Sequence, residues 1–204
     1  MCFSTIITMT MNQWSCLNFL NTTIVRNNKK IDLLCTPEEF KIWMTNEAQL
    51  NDAVTIQFSY LQSWIDSLNM LKEITNYRTE LAEKLAAFMN GVISKEMLKE
   101  RIETDLQQAA FILHFFKNKK IIVPTETHFE GFKSVILLHL YGLIETNDIE
   151  KLCHCANPDC ILVFINKTGK RKWCSMKICG NRHKVERFSK KSTSKKQGDD
   201  IHKT

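Results

Sequence analysis

The stretch "CHCANPDCILVFINKTGKRKWCSMKIC", residues 153–179, decides how the chain is read. It holds five of the eight cysteines, and four of these form two C-x-x-x-x-C pairs, Cys155/Cys160 and Cys174/Cys179, with thirteen residues between them. Thiolates so spaced can converge on one tetrahedral ion, and soft sulfur at all four positions favours zinc in a closed structural site. Cys153 and His154 are alternative donors beside the first pair. Choosing Cys155 gives both pairs the same gap and places Asn157-Pro158-Asp159 in the loop, where Asn and Pro favour a tight reversal. The scattered Cys2, Cys16 and Cys35 read as small buried hydrophobes.

Between the pairs, Val163-Phe164-Ile165 suits a strand, Lys167 to Lys170 a turn and Arg171-Lys172-Trp173 a returning arm, which together predict a β-hairpin. After Cys174, Ser175 is placed to cap a helix running through "MKICGNRHKVERF". A knuckle, a hairpin and a helix carrying the last two ligands is a treble-clef-like arrangement. Zinc binding would then supply much of the folding free energy of so small a module. Trp173 is expected to cover the metal site, Gly180 to permit a close approach behind Cys179, and Val185 and Phe188 to pack on the finger.

Upstream, apolar residues follow helical spacing. Thr36 with Pro37 and Glu39 has the form of a capping box opening a helix whose buried face is Phe40, Trp43 and Met44. Phe58, Leu61, Ile65, Leu68 and Leu71, then Leu81, Leu85 and Phe88, predict amphipathic helix in two pieces, stopped near Gly91. Ser94 starts another helix, which either continues or passes into strand near Phe111, and "HFEGFKSVILLHLYGLIE" reads as a buried helix. A turn is expected at Asn27-Asn28. His114 and His139, set among apolar residues of predicted helices, read as hydrogen-bonded core histidines, and Trp43, Phe58, Trp64 and Phe88 as core. The fold class is therefore a mainly α N-terminal domain with minor β elements, residues 1–150, followed by the small zinc finger, 151–191, and a polar, disordered tail, 192–204.

Charge is distributed unevenly. Residues 1–166 carry 15 Lys and Arg against 19 Asp and Glu, whereas residues 167–204 carry 13 against 3. A mildly acidic body with a strongly basic end points to a polyanion partner, DNA first, although phosphate contacts alone leave RNA open. Arg171, Lys172, Lys177, Lys184 and Arg187 are the candidate phosphate contacts. Asn181 and Arg182 are placed either to read base edges or to brace the zinc loop. In "CLNFLNT", residues 16–22, the polar Asn18, Asn21 and Thr22 either line a small-molecule pocket or form a hydrogen-bond cluster at a helix end. No apolar run is long enough to span a membrane, and the first residues lack a basic n-region, so a cytoplasmic protein is expected. Four cysteines close the metal shell, and no H-E-x-x-H, P-loop or dinucleotide motif occurs, so an enzyme is not expected.

The run "CANPDC…FINKTGKRKWCSMKICGNRHKVERF" resembles the CGNR zinc finger, named for the tetrad Cys179-Gly180-Asn181-Arg182. "CLNFLNT" and "LLCTPEEFKIWM", residues 33–44, resemble the ABATE domain that precedes this finger in bacterial stress-induced transcription regulators. The chain has Asn18, Asn166 and Thr168 where those proteins commonly have Asp, Asp and Ser; the four ligands match. The resemblance implies a DNA-binding regulator whose helical domain senses an effector or forms a homodimer. The alternatives are a protein-interaction module docking on an acidic partner, and a small-molecule-binding protein.

Overall fold

The computed structural model describes residues 13–61 and 68–185. The expectations for Cys2, Trp64, Ile65, Arg187, Phe188 and the 192–204 tail fall outside the described residues. Six α-helices and three two-stranded antiparallel hairpins alternate along the described chain.

Helix α6 (Phe129–Glu145) is the centre. Its sequence is apolar nearly all round, and it buries Phe132, Val135, Ile136, Leu137, Leu140, Leu143 and Ile144, as expected of a helix packed on several sides. Helix α1 (Ser15–Leu20) lies against it. The Trp14 ring rests directly on Gly142, where a β-carbon would fall 2.6 Å from the indole. Phe132 collects the aromatic core: Phe19 meets it edge-on at 5.1 Å, Phe40 at 5.2 Å and Trp43 at 6.1 Å between ring centroids. These are the separations at which edge-to-face pairs are favourable.

Helix α2 (Pro37–Glu47) starts on the expected capping box: Thr36 Oγ1 accepts from Glu39 N at 3.2 Å and the Glu39 carboxylate accepts from Thr36 N at 3.1 Å. Helices α3 (Asp52–Ser59) and α4 (Leu68–Met89) are the two amphipathic pieces, and α4 ends before Gly91, whose φ of +72° suits glycine. Ser94 caps α5 (Lys95–Gln107) by accepting from Met97 N.

The minor β elements are hairpins. Strands β1 (Thr23–Arg26) and β2 (Lys29–Asp32) are joined by Asn27 and Asn28, both left-handed at φ 52° and 57°, the two-residue turn that matches strand twist. Strands β3 (Phe111–Phe116) and β4 (Lys119–Pro124) turn through Lys117 and Asn118 in the same conformation. This corrects the helical placement of His114: it lies on β3, half-buried, with Nδ1 3.2 Å from the Tyr60 hydroxyl. Cys16 is buried as expected, but Cys35 is exposed, its thiol donating to Asp32 O as part of the turn before α2.

Buried polar groups lock these pieces together. The Ser15 amide donates to His139 Nδ1, so Nε2 carries the ring proton and donates to Gln57 Oε1 at 3.0 Å. Gln57 Nε2 in turn donates to Ile122 O, joining α1, α6, α3 and β4. Arg78 on α4 donates to Thr22 Oγ1 and to both Asp32 oxygens, fixing the base of the β1–β2 hairpin. Among the described residues no helix is long and apolar enough to cross a membrane.

Candidate metal centre and its basic surround

A short 3₁₀ turn, Asp148–Lys151, leads from α6 into β5 (Leu152–His154), which pairs with β6 (Val163–Ile165). The hairpin thus differs from the one expected. The partner of Val163–Ile165 is the segment before the first cysteine pair, not Arg171–Trp173, and the Cys155–Cys160 knuckle closes it. Residues 166–171 instead form a compact loop. Asn166 Oδ1 accepts from Arg171 N and its Nδ2 donates to Arg171 O, so one side chain ties both ends. Gly169 holds the required φ of +69°. A single bond, Ala156 N to Lys172 O at 2.8 Å, then brings the returning chain alongside the knuckle.

Inside the knuckle, Asn157 makes the reversal. Its Oδ1 accepts from Asp159 N, its carbonyl accepts from Cys160 N, and its Nδ2 reaches Cys179 Sγ at 3.6 Å. Ser175 caps the final helical segment by accepting from Lys177 N. The first turn of that segment, Met176–Gly180, is a π turn, followed by helical residues 181–185. The wide turn lets both Cys179 N and Gly180 N donate to Ser175 O, and carries Cys179 back toward the knuckle. Gly180 leaves room for a side chain, not for backbone: a β-carbon there would fall 2.6 Å from Met176 Sδ.

Cys155, Cys160, Cys174 and Cys179 are brought together, with all four sulfurs within 4.8 Å of one another. Tetrahedral zinc with Zn–S bonds of about 2.3 Å requires sulfurs about 3.8 Å apart. Cys160 and Cys174 stand at 3.8 Å. The donor set therefore fits zinc in size as well as in chemistry. Three of the four cysteines are buried, with Leu162, Phe164 and Trp173 packed around them. Backbone and amide donors compensate sulfur charge: Cys174 N points at Cys155 Sγ at 3.4 Å, and Asn157 at Cys179. A hydrogen bond from the Cys174 thiol pulls Cys160 down to about 5, while this same contact and burial push Cys174 up. One thiolate next to one thiol is what close sulfurs allow unaided; four thiolates need a cation. Cys153 is turned away toward Phe164 O, and His154 is exposed.

The basic residues fall on two sides. Lys170, Arg171, Lys172, Trp173 and Met176 border one cleft of about 640 Å³. Arg171 is also the brace of the zinc loop: its guanidinium donates to the Trp173 and Cys174 carbonyls and lies 4.2 Å from the Phe164 ring centroid. That bracing role is one of the two that the sequence suggests for Arg182. Lys177 and Arg182 instead border a second cleft of about 280 Å³, on the side of the β1–β2 hairpin. Asn181 and Lys184 are exposed on the final helical segment. Trp173 packs against the cysteine cluster, and its ring is tilted 34° to that of His183 with centroids 4.6 Å apart. Val185 is 67% exposed, so it does not pack on the finger as expected.

The "CLNFLNT" polar residues point inward. Asn18 donates to the buried Glu47 carboxylate at 3.1 Å, and Thr22 donates to Phe19 O while accepting from Arg78. Asn21 borders a cleft of about 270 Å³, but both ends of its amide are engaged: Nδ2 donates to Val163 O at 2.9 Å and Oδ1 accepts from Val163 N at 3.0 Å. Through this pair α1 grips strand β6 of the metal module. Sequence reasoning missed the grip and the Arg78 brace, because each acts on a partner distant in the chain.

A search of curated proteins returned no match for the chain. Residues 151–192 match the family model described as the CGNR zinc finger, a span that takes in all four converging cysteines. Residues 151–192 of this chain are a CGNR zinc finger with a four-cysteine zinc site.

Proposed function

We propose that the protein is a DNA-binding transcription regulator whose zinc finger contacts the duplex and whose helical body carries regulation. The observation that supports this most strongly is charge. Residues 151–192 hold 11 Lys and Arg against 2 Asp and Glu, and a zinc ion shared by four thiolates leaves only −2 to offset them. Lys170, Lys172, Lys177, Arg182 and Lys184 are all exposed around the metal centre. A cation cluster on a rigid, metal-clamped frame is suited to phosphates, which position a protein on nucleic acid. Zinc has a structural role in this reading, since four thiolates complete a tetrahedral shell and leave no position for a substrate. The regulatory role follows from the likeness of "CLNFLNT" and "LLCTPEEFKIWM" to the ABATE domain of stress-induced transcription regulators.

The test is fluorescence anisotropy of the zinc-loaded full chain on a labelled 20-base-pair DNA duplex of arbitrary sequence, titrated at several salt concentrations. Four or five phosphate contacts would give a log–log slope of about −4. No binding at 50 mM salt would refute the reading.

A further inference from the structure

We infer that the β1–β2 hairpin of the helical body is a second phosphate-contacting prong, engaging the same DNA duplex as the zinc finger. This deepens the DNA-binding reading and rests on it.

The hairpin's register sorts its side chains. Thr23 pairs with Asp32, Ile24 with Ile31, Val25 with Lys30 and Arg26 with Lys29. Side chains alternate between faces, so Ile24, Ile31, Arg26 and Lys29 share one face. Ile24 packs against the cluster around the zinc cysteines, which directs that face toward the finger. The other face carries Asp32, the carboxylate held by Arg78 on α4. At its base the hairpin's acid is thus neutralised internally. Its tip, residues 26–30, is wholly exposed and holds Arg26, Lys29 and Lys30 around the Asn27–Asn28 turn.

Across from this tip are the finger's own cations. The 280 Å³ cleft is bordered by Arg26 on the hairpin and by Lys177 and Arg182 on the finger, over a floor of Ile24, Leu162 and Ile178; Asp159 is the acid in its lining. Neither bank is loosely attached. Arg78 fixes the hairpin, and Asn21 fixes β6 of the finger. Cations carried on two anchored banks suit a partner whose charges come in a fixed row, as they do along a duplex backbone. Anchoring both banks in advance lowers the cost of bringing them together on binding. The sequence placed the basic surface wholly beyond residue 166; the fold adds a patch contributed by residues 26–30.

The experiment uses the zinc-loaded full chain and the duplex assay above, comparing wild type, Lys29→Ala, Lys29→Arg and Lys120→Ala. Lys120 is exposed on β4, so its loss changes net charge equally without touching the patch. Each phosphate contact contributes about 0.9 to the salt slope, or roughly eightfold in affinity at 100 mM salt relative to 1 M. Lys29→Ala should therefore make the slope less steep by about 0.9 and weaken binding about eightfold, with full zinc content. Lys29→Arg and Lys120→Ala should match wild type. If wild type binds DNA and Lys29→Ala keeps its slope and affinity, the hairpin inference is wrong while the finger reading stands. An equal loss in Lys120→Ala would show a net-charge effect and also overturn it. If the dependence on Lys29 appears with an RNA duplex and not with DNA, the partner assigned is wrong. Absence of binding by wild type would remove the underlying reading itself.

Discussion

Asn21→Leu tests whether the finger is built onto the body or merely follows it. Asn21 is nearly buried, and its amide makes two hydrogen bonds to the backbone of Val163, acting as a one-residue strand beside β6. Leucine has a similar volume, so little cavity opens, but the Val163 N–H and C=O lose their partner. A net hydrogen bond contributes about 1 kcal/mol, and a stranded buried group costs about 1–3 kcal/mol. Val163 is half-buried, so water reaches part of it and the lower part of that range applies to each group. The expected loss is about 2–3 kcal/mol. Urea unfolding of the zinc-loaded chain should show a lower midpoint at unchanged m-value, since the surface exposed on unfolding is the same. Thermal unfolding should shift by roughly 4–12 °C for a chain of this size. Asn21→Asp is the sharper comparison: it keeps the acceptor for Val163 N but sets a carboxylate oxygen against Val163 O, so it should be at least as damaging. If both variants fall within about 0.5 kcal/mol of wild type, the ordinary effect of a neutral surface change, this amide does not hold the finger to the body.

Two further outcomes follow from other sites. Gly180→Ala meets only the tip of Met176, a flexible and 53% exposed side chain that can swing aside, so stability should stay within about 1 kcal/mol of wild type with zinc content intact. Loss of zinc from Gly180→Ala would show that this approach tolerates no side chain and that more than the Met176 tip closes it. Burial raises the Glu47 carboxyl to about 7, against the opposing hydrogen bond from Asn18. The native state then keeps a proton that the unfolded chain has lost between about pH 4.5 and 7, so stability falls as pH rises through that window. Burial lowers His139 to about 4, which gives the opposite slope between about pH 4 and 6.5 and should flatten the wild-type profile there. Glu47→Gln should unmask the histidine slope, and its advantage over wild type should grow by up to about 3 kcal/mol from pH 4.5 to 8. Parallel stability curves for the two proteins would refute a buried, protonated Glu47.

Local chemistry was the part of this fold written openly in the sequence. The Thr36-Pro37-Glu39 cap, the Asn27-Asn28 reversal, the Ser94 and Ser175 caps and the paired cysteine spacing each act over a few residues, and each has the partner its neighbours imply. What was misread depends on distant partners. "FILHFF" is apolar without alternation, and Lys117-Asn118 is a weak turn signal, so the sequence leaves strand near Phe111 as one of two alternatives, places His114 on a helix and does not show the pairing with β4. The β5 strand is too short to show a period, so the sequence points to Arg171-Lys172-Trp173 as the mate of β6. The deciding factor was the knuckle: once Cys155 and Cys160 converge on one ion, the residues flanking them must run antiparallel.

The same short strand explains why a finger this small can hold an orientation. Strand β6 and the residue before it alternate between two cores. Ile165 and Val163 join the apolar core of the body, whereas Leu162 and Phe164 pack around the zinc cysteines. Phe164 also supports the Arg171 guanidinium that braces the Cys174 carbonyl. Side chains on opposite faces of one strand cannot move independently, because a one-residue slip would exchange the two faces and bury neither set correctly. Rotation of the finger relative to the body would strip Val163 from Asn21 and Ile165 from the body core together. The direction in which Lys177, Arg182 and the hairpin's Lys29 face is therefore set by the helical body as much as by the metal. Changes in that body, such as a titrating Glu47 beside α1, have a short path to the basic surface: from Asn18 along α1 to Asn21, and from Asn21 to β6.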